Sequence, residues 1–255
     1  MSAEPVRSAG AGRLAGWRDT WARLGPLDAT LYAIGRALAR ISRGRVRLLK
    51  YHLVAQPVPG DGRGTLRADA NSVVAPAERD SPLTVHFPRP PEVIRQRYAS
   101  GALCFAATQH GRFAGFLWLR RDSYDEDEVR CRYVLDEPEH SAWDFDVYVE
   151  PAYRHGRTMA RLWQAADRHL TSQGVRWSFS RISAFNPSSL AAHTRLGLVK
   201  CHVATFFCIG PLQLSLLPQF PFVHASLHDG RCPTIRLRAP GAVAHPSAYQ
   251  PLPRP

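Results

Sequence analysis

The sequence predicts an α/β (α+β) domain built on a mixed, mostly antiparallel sheet flanked by helices. Three observations predict it. Apolar runs joined by turn residues follow one another from 102 to 121, the pattern of an antiparallel meander. The apolar period then lengthens to that of a helix over 158–174. Beyond that helix, strand, helix and strand alternate as far as residue 210.

The elements follow in order. Residues 1–44 form an N-terminal arm, Gly/Ala/Arg-rich at first. Its second part, 26–42, is an amphipathic helix with Leu27, Leu31, Ile34, Leu38 and Ile41 on one face and Arg36 and Arg40 on the other. That helix can dock on its own domain, on a partner, or as a peripheral contact on an anionic membrane. The main domain covers 45–239. It opens with a strand over 45–56 and a Pro/Gly-rich loop over 57–82. A short strand at 83–87 and a helix at 90–101, started by proline and stopped by glycine, come next. Strands at 102–108 and 113–121 flank the turn QHGR. After the acidic connection 122–128 come strands at 129–135 and 143–151, the latter ended by Pro151. The 158–174 helix ends at Gly174. A strand at 175–185, a helix at 188–197 and a strand at 199–210 complete the alternation, and 222–227 and 234–239 read as a final hairpin. The proline-rich tail 240–255 is expected to be disordered.

Composition narrows the function. The 255 residues carry a formal net charge of +12, and Lys50 and Lys200 are the only lysines. Arginine is a permanently charged planar donor suited to phosphates, so the balance fits a polyanionic cofactor, nucleic acid or an anionic surface. No RNP pattern, helix-turn-helix spacing or zinc finger supports nucleic-acid binding. Cys104, Cys131, Cys201, Cys208 and Cys232 have neither disulfide nor zinc spacing, and the histidines form no HExxH pair, so no metal site is expected. No apolar run is long enough to span a bilayer and the N-terminus lacks the core of a secretory signal, which reads as cytoplasmic.

The chemistry concentrates in VYVEPAYRHGRTMARLW, 147–163. A strand ends at Pro151, a loop of Arg154, His155, Gly156 and Arg157 follows, and a helix starts. Such a loop aims backbone N–H groups and a helix N-terminus at one anion, and glycine permits close approach. It is chemically a pyrophosphate site. Strand alternation places Asp144, Asp146, Tyr148 and Glu150 on one side, where acids can take a proton from an amine or simply face solvent.

These residues resemble the GNAT superfamily of N-acetyltransferases. Val149, Pro151, Arg154, Gly156 and Ala160 follow its outline of V-x-P, an R/Q-x-x-G-x-G/A loop and a long helix. Thr158 stands where the family has glycine, and aligning Gly156-Arg157-Thr158-Met159-Ala160 to G-x-G-x-G/A puts His155 at the R/Q position. Downstream, Asn186, Ser189, His193, Gly197 and Leu198 match N-x-x-A/S followed by G-F. The resemblance implies a central parallel strand pair that splays to admit the pantetheine arm of acetyl-CoA or another acyl-CoA. A bulge in the first of these strands exposes an N–H near Val149 to the thioester. The acyl group passes to a small-molecule amine by direct attack in a ternary complex. It assigns cofactor contacts to Tyr148, Val149, Arg154, His155, Gly156, Arg157, Thr158, Met159, Ala160, Asn186 and Ser189. His193 becomes the acid for the departing thiolate. Among the acids of the strand, Asp146, Asp144 or Glu150 can serve as base, directly or through water. A long-chain acyl donor used near lipid and a catalytically degenerate binding module remain open alternatives.

Overall fold

A computed structural model describes residues 9–60, 66–195, 197–228 and 230–241. The expectation of a disordered tail falls almost wholly on residues outside these. Helix α1 (Ala9–Ile41) is broken at Gly25, whose φ of 77° is left-handed, and restarts at Pro26. Proline suits that restart because the first helical turn needs no N–H from it.

The strands are β1 (Val46–Pro57), β2 (Ser72–Pro76), β3 (Leu103–Gln109), β4 (Arg112–Arg120), β5 (Ser123–Asp125), β6 (Arg132–Leu135), β7 (Ser141–Val149), β8 (Trp177–Ser183), β9 (Val199–Ile209), β10 (Leu212–Leu216), β11 (Val223–Ser226) and β12 (Thr234–Leu237). The helices after α1 are α2 (Pro91–Ala99), α3 (Thr158–Ser172) and α4 (Pro187–Thr194). Nine strands form the main sheet in the order β11-β10-β9-β1-β8-β7-β4-β3-β2, and β12-β6-β5 form a second, small one. In the main sheet, β7 and β8 run parallel and the other pairs antiparallel. This is the mixed, mostly antiparallel sheet that the sequence predicts.

Several elements differ from expectation. Residues 82–86 make a 3-10 turn capped by Ser81, and β2 lies in the stretch read as loop. The first strand in sequence, β1, inserts between β8 and β9. The final hairpin does not form: β11 pairs with β10, and β12 runs parallel to β6 in the small sheet. Both 222–227 and 234–239 have strand-like composition, but composition carries no record of which neighbour completes a strand's hydrogen bonds.

Helix α3 buries Leu162, Trp163, Ala166 and Leu170 against β3 and β4, in a cluster that includes Leu117 and Leu119. On the opposite face, α2 covers a cluster around Phe116 and Trp118. The small sheet closes a third cluster, in which Tyr133 stacks on Trp143 at 4.7 Å. The five cysteines are free thiols.

Helix α1 docks on β1, but not through the predicted stripe. Its contact side is small and polar: Ala29 is fully buried, a Cβ on Gly35 would stand 3.2 Å from Leu48 Cβ, and Asp28 pairs with Lys50 at 2.6 Å. Close backbone approach at Gly35 and the ion pair at Asp28 fix this side, leaving Leu27, Ile34, Leu38 and Ile41 exposed.

Candidate functional site

The site is a fork. β7 and β8 pair at only three rows, Ser141↔Trp177, Ala142↔Ser178 and Trp143↔Phe179. Beyond them β7 stays with β4 as far as Gly115↔Val149, while β8 stays with β1 as far as Tyr51↔Ser183. Two parallel strands thus separate towards their C-terminal ends, and α3 begins at the tip of the first.

A bulge lies at the branch point. Trp118 faces Asp146 and Leu119 faces Asp144, so Phe145 is the extra residue in β7. This corrects the alternation expected for the acids. Asp144, Val147 and Val149 face α3, whereas Phe145, Asp146 and Tyr148 face α2. The bulge also stands four residues before Val149, where the N–H for a thioester was expected.

Asp144 is buried beneath α3 and accepts a hydrogen bond from Ser178 Oγ at 2.9 Å. Burial, opposed by hydrogen bonds from Ser178 and Ser180, lifts its carboxyl to about 7. Asp146 is clamped instead. Arg89 donates to both of its oxygens at 2.7 and 2.8 Å, and Arg97 Nη1 adds a third bond at 2.7 Å. A carboxylate so saturated is suited to holding two arginines in place and poorly suited to the base role expected of it. Glu150 follows the last residue of β7. Burial first, then Glu150, raises the Tyr148 phenol above its ordinary value. The Tyr148 ring packs on Phe113 and Phe116, so only its backbone faces the fork.

The predicted phosphate loop is a tight turn followed by a helix start. The amides of Tyr153, Arg154 and Gly156 donate to the carbonyls of Glu150, Pro151 and Tyr153 and are spent. Arg154 Nε donates to Val149 O at 3.1 Å. Arg157 caps α3 with no side-chain bond, so the N–H groups that face an anion belong to the first turn, Thr158, Met159 and Ala160. Arg154, His155 and Arg157 are exposed around it, Thr158 is buried and Met159 packs partly into the core. A cleft of about 460 Å³ opens beside this turn, lined by Arg67, Asp69, Tyr153, Gly156, Arg157 and Arg161.

On the other branch, Asn186 caps α4: its Oδ1 accepts from Ser189 N at 3.1 Å and Ser188 Oγ at 2.8 Å. Asn186 and Ser189 therefore order the turn after β8. His193, in the last turn of α4, is buried against Trp163 of α3, with Nδ1 3.1 Å from Gln56 Oε1 of β1.

Two features were missed in the sequence. Gly115 lets β4 approach β7: a Cβ there would lie 2.4 Å from Tyr148 O. In the acidic segment after β5, the Glu126 side chain is buried and pairs with Arg181 of β8, with Nη2···Oε1 at 2.6 Å, while Asp127 and Glu128 stay exposed. Glu128 accepts a hydrogen bond from Tyr51 of β1. The segment lies over the fork on the face opposite α3 and lines a cavity of about 450 Å³ with Arg47, Cys131 and Gln213. A lone glycine among apolar residues carries no such signal, and pairing across 55 positions leaves no local trace.

Among the described residues no group of His, Cys, Asp and Glu side chains is arranged to hold a metal ion, and no helix is long and apolar enough to cross a membrane. Residues 74–198, from β2 through α4, match the family model described as Acetyltransferase (GNAT) family. The chain carries a GNAT-family domain. Acyl transfer is the general chemistry of that family, and acyl-CoA its usual donor. The fork, the turn after β7 and α3 all lie inside the matched span; β1, inserted beside β8, lies outside it.

No curated protein sequence matches the chain. Among solved structures, a conserved protein of unknown function from Staphylococcus epidermidis aligns at 10% identity and TM-score 0.48, over 68% of this chain and 66% of its own. A putative GNAT acetyltransferase from Novosphingobium aromaticivorans aligns at 19% identity and TM-score 0.43, over 62% and 63%. A tandem GNAT protein from the clavulanic acid biosynthesis pathway aligns at 13% identity and TM-score 0.45, over 68% and 57%. This chain thus covers less than two thirds of each of them.

Proposed function

We propose that the protein is an acyl-CoA-dependent N-acyltransferase that moves an acetyl or longer acyl group to a small amine within a ternary complex. The observation that carries this reading is the fork: two parallel strands that part after three rows, with a helix N-terminus and several arginines at one tip. The pyrophosphate is held by the first-turn amides of α3, with Arg154, His155 and Arg157 around them. The pantetheine arm runs between β7 and β8, past Val149 on one branch and the turn ordered by Asn186 and Ser189 on the other. Positioning of amine and thioester supplies most of the rate, up to roughly 7–11 kcal/mol at best.

Glu150 takes the base role, since Asp146 is committed to Arg89 and Arg97. The attacking amine loses its proton towards Glu150, its nitrogen bonds the acyl carbon, and the C–S bond breaks. His193 protonates the departing thiolate. The acceptor enters on the face opposite α3, beside the acidic segment, whose Asp125, Asp127 and Glu128 stand next to Arg132, Arg97 and Arg181. The protein works in the cytoplasm.

Calorimetric titration with acetyl-CoA, long-chain acyl-CoA and free coenzyme A tests the reading. Micromolar binding is expected, and replacing Gly156 by Leu is expected to weaken it by crowding Tyr153 O, which a Cβ already meets at 3.3 Å. The ranking of acyl lengths separates acetyl from long-chain transfer. Absence of binding by all three ligands makes the protein a degenerate GNAT-like module and refutes the assignment.

A further inference from the structure

The apolar stripe of α1 does not stand alone. Leu48 of β1, which meets Gly35 of α1, sits in one cross-strand row with Phe207, Leu214 and Ala225. The neighbouring row is Lys50, Thr205, Leu216 and Val223, and the next is Val46, Ile209 and Leu212. Side chains in such rows share a face of the sheet, so all of these lie on the side where α1 docks. Among the described residues the helix packs chiefly on β1. Beyond it the outer face of β9, β10 and β11 lies open, with Ile209 54%, Leu216 42% and Val223 58% exposed.

The helix adds its stripe to this floor. Tyr32 points to the β8 side, where its ring meets Phe185 at 5.6 Å. Leu31, Leu38 and Leu27 project from the other flank of the helix, towards β9, and Ile34 and Ile41 point up and away from the sheet. Ile34 is 48% exposed and Ile41 82%. Helix wall and sheet floor form a contiguous apolar surface larger than scattered single side chains, the kind that marks an interaction site.

Charge identifies the occupant. Between residues 21 and 57 the only acid is Asp28, already paired with Lys50, and 199–227 contain none. Exposed Arg36 and Arg40 border the helix on the side away from the stripe, and exposed Arg43 and Arg45 stand in the turn after it. Apolar side chains framed by arginine, without carboxylates, match the interface of an anionic bilayer, where acyl chains meet phosphate. A second copy docked across a twofold axis would set this arginine border against itself with no acid to answer it.

We infer that α1 and the outer face of β9–β11 form a docking surface for an anionic lipid bilayer. The inference does not depend on the acyltransfer reading, and its test involves no coenzyme A. The full chain is floated with vesicles of mixed phosphatidylglycerol and phosphatidylcholine, and with phosphatidylcholine alone. It is expected to float with the first and not the second, and less as salt rises. Leu214→Glu with Ile34→Glu is expected to abolish flotation while leaving the circular dichroism spectrum intact. Arg40→Gln and Arg43→Gln, which keep the apolar face, are each expected to lower the partition coefficient about fivefold. These arginine variants carry the test should the glutamate variant fail to fold. Equal flotation with both vesicles, or with neither, overturns the inference. So does a concentration-dependent dimer in sedimentation that Leu214→Glu dissolves, because the face would then belong to a second copy.

Discussion

Asp144 and Asp146 stand two positions apart on one strand and live in opposite surroundings. Asp144 lies under α3 among apolar and hydroxyl groups, and burial lifts its carboxyl to about 7. Asp146 lies under α2 and accepts three hydrogen bonds from two guanidiniums. Without a bulge both would share a face. One extra residue, Phe145, sends them to different sides and so makes the two faces of the fork chemically unlike: one largely apolar beside a helix N-terminus, the other ion-paired and lined by acids. The difference teaches that the bulge does more than open the strand pair. It sorts the charge between the two faces, which the proposed reading uses to bring acyl thioester and amine in from different sides.

The largest effect is expected on the ion-paired side. Asp146→Ala frees Arg89 and leaves Arg97, whose side chain is 10% exposed, with only the 3.4 Å bond to half-exposed Asp127. Removing one partner of a buried pair costs about 3–5 kcal/mol. A denaturant midpoint should fall accordingly, and addition of Arg97→Leu should recover part of the loss. A loss below about 1 kcal/mol, the range of exposed pairs, would show that the clamp is solvated and that Asp146 is free to act as a base.

The α3 side is tested by pH. A carboxyl raised from 3.8 to about 7 binds more protons in the folded state than in the unfolded one between those values. Its contribution to stability is therefore fully present below 3.8 and lost as pH rises through about 7, by at most about 4 kcal/mol. Asp144→Asn should flatten this part of the stability-versus-pH curve and leave the slope below it unchanged. An unaltered slope would place Asp144 in water and dissolve the contrast with Asp146.

The same contrast marks what was legible in the sequence. The turn and helix start at 151–160 were readable because proline, glycine and arginine act within a few residues of one another. The faces of Asp144 and Asp146 were not, since a bulge depends on how β4 pairs with β7, and nothing local announces it. The partner of Glu126 and the insertion of β1 beside β8 depend on contacts between distant segments. The stripe on α1 was legible as apolar, but not which side of the helix meets the sheet, because a small-residue face with one ion pair approaches the sheet more closely than leucines can.

The smallest of the expected effects falls on catalysis alone. His193 sits on the α3 side, between Gln56 and Trp163, on the branch of the fork that ends in α4. If it protonates the thiolate, His193→Phe should lower kcat about 100-fold, equivalent to about 2.7 kcal/mol, with KM for acetyl-CoA little changed. Phenylalanine keeps the ring against Trp163 but leaves Gln56 without its partner, so stability must be followed in parallel, and His193→Asn, which retains a polar group, provides the second variant. A fall in kcat in both variants, at thermal midpoints near the parent's, separates proton transfer from packing. Unchanged kcat in a folded variant would make His193 a packed histidine and leave the apolar side of the fork with a binding role only, the proton then reaching the thiolate through water.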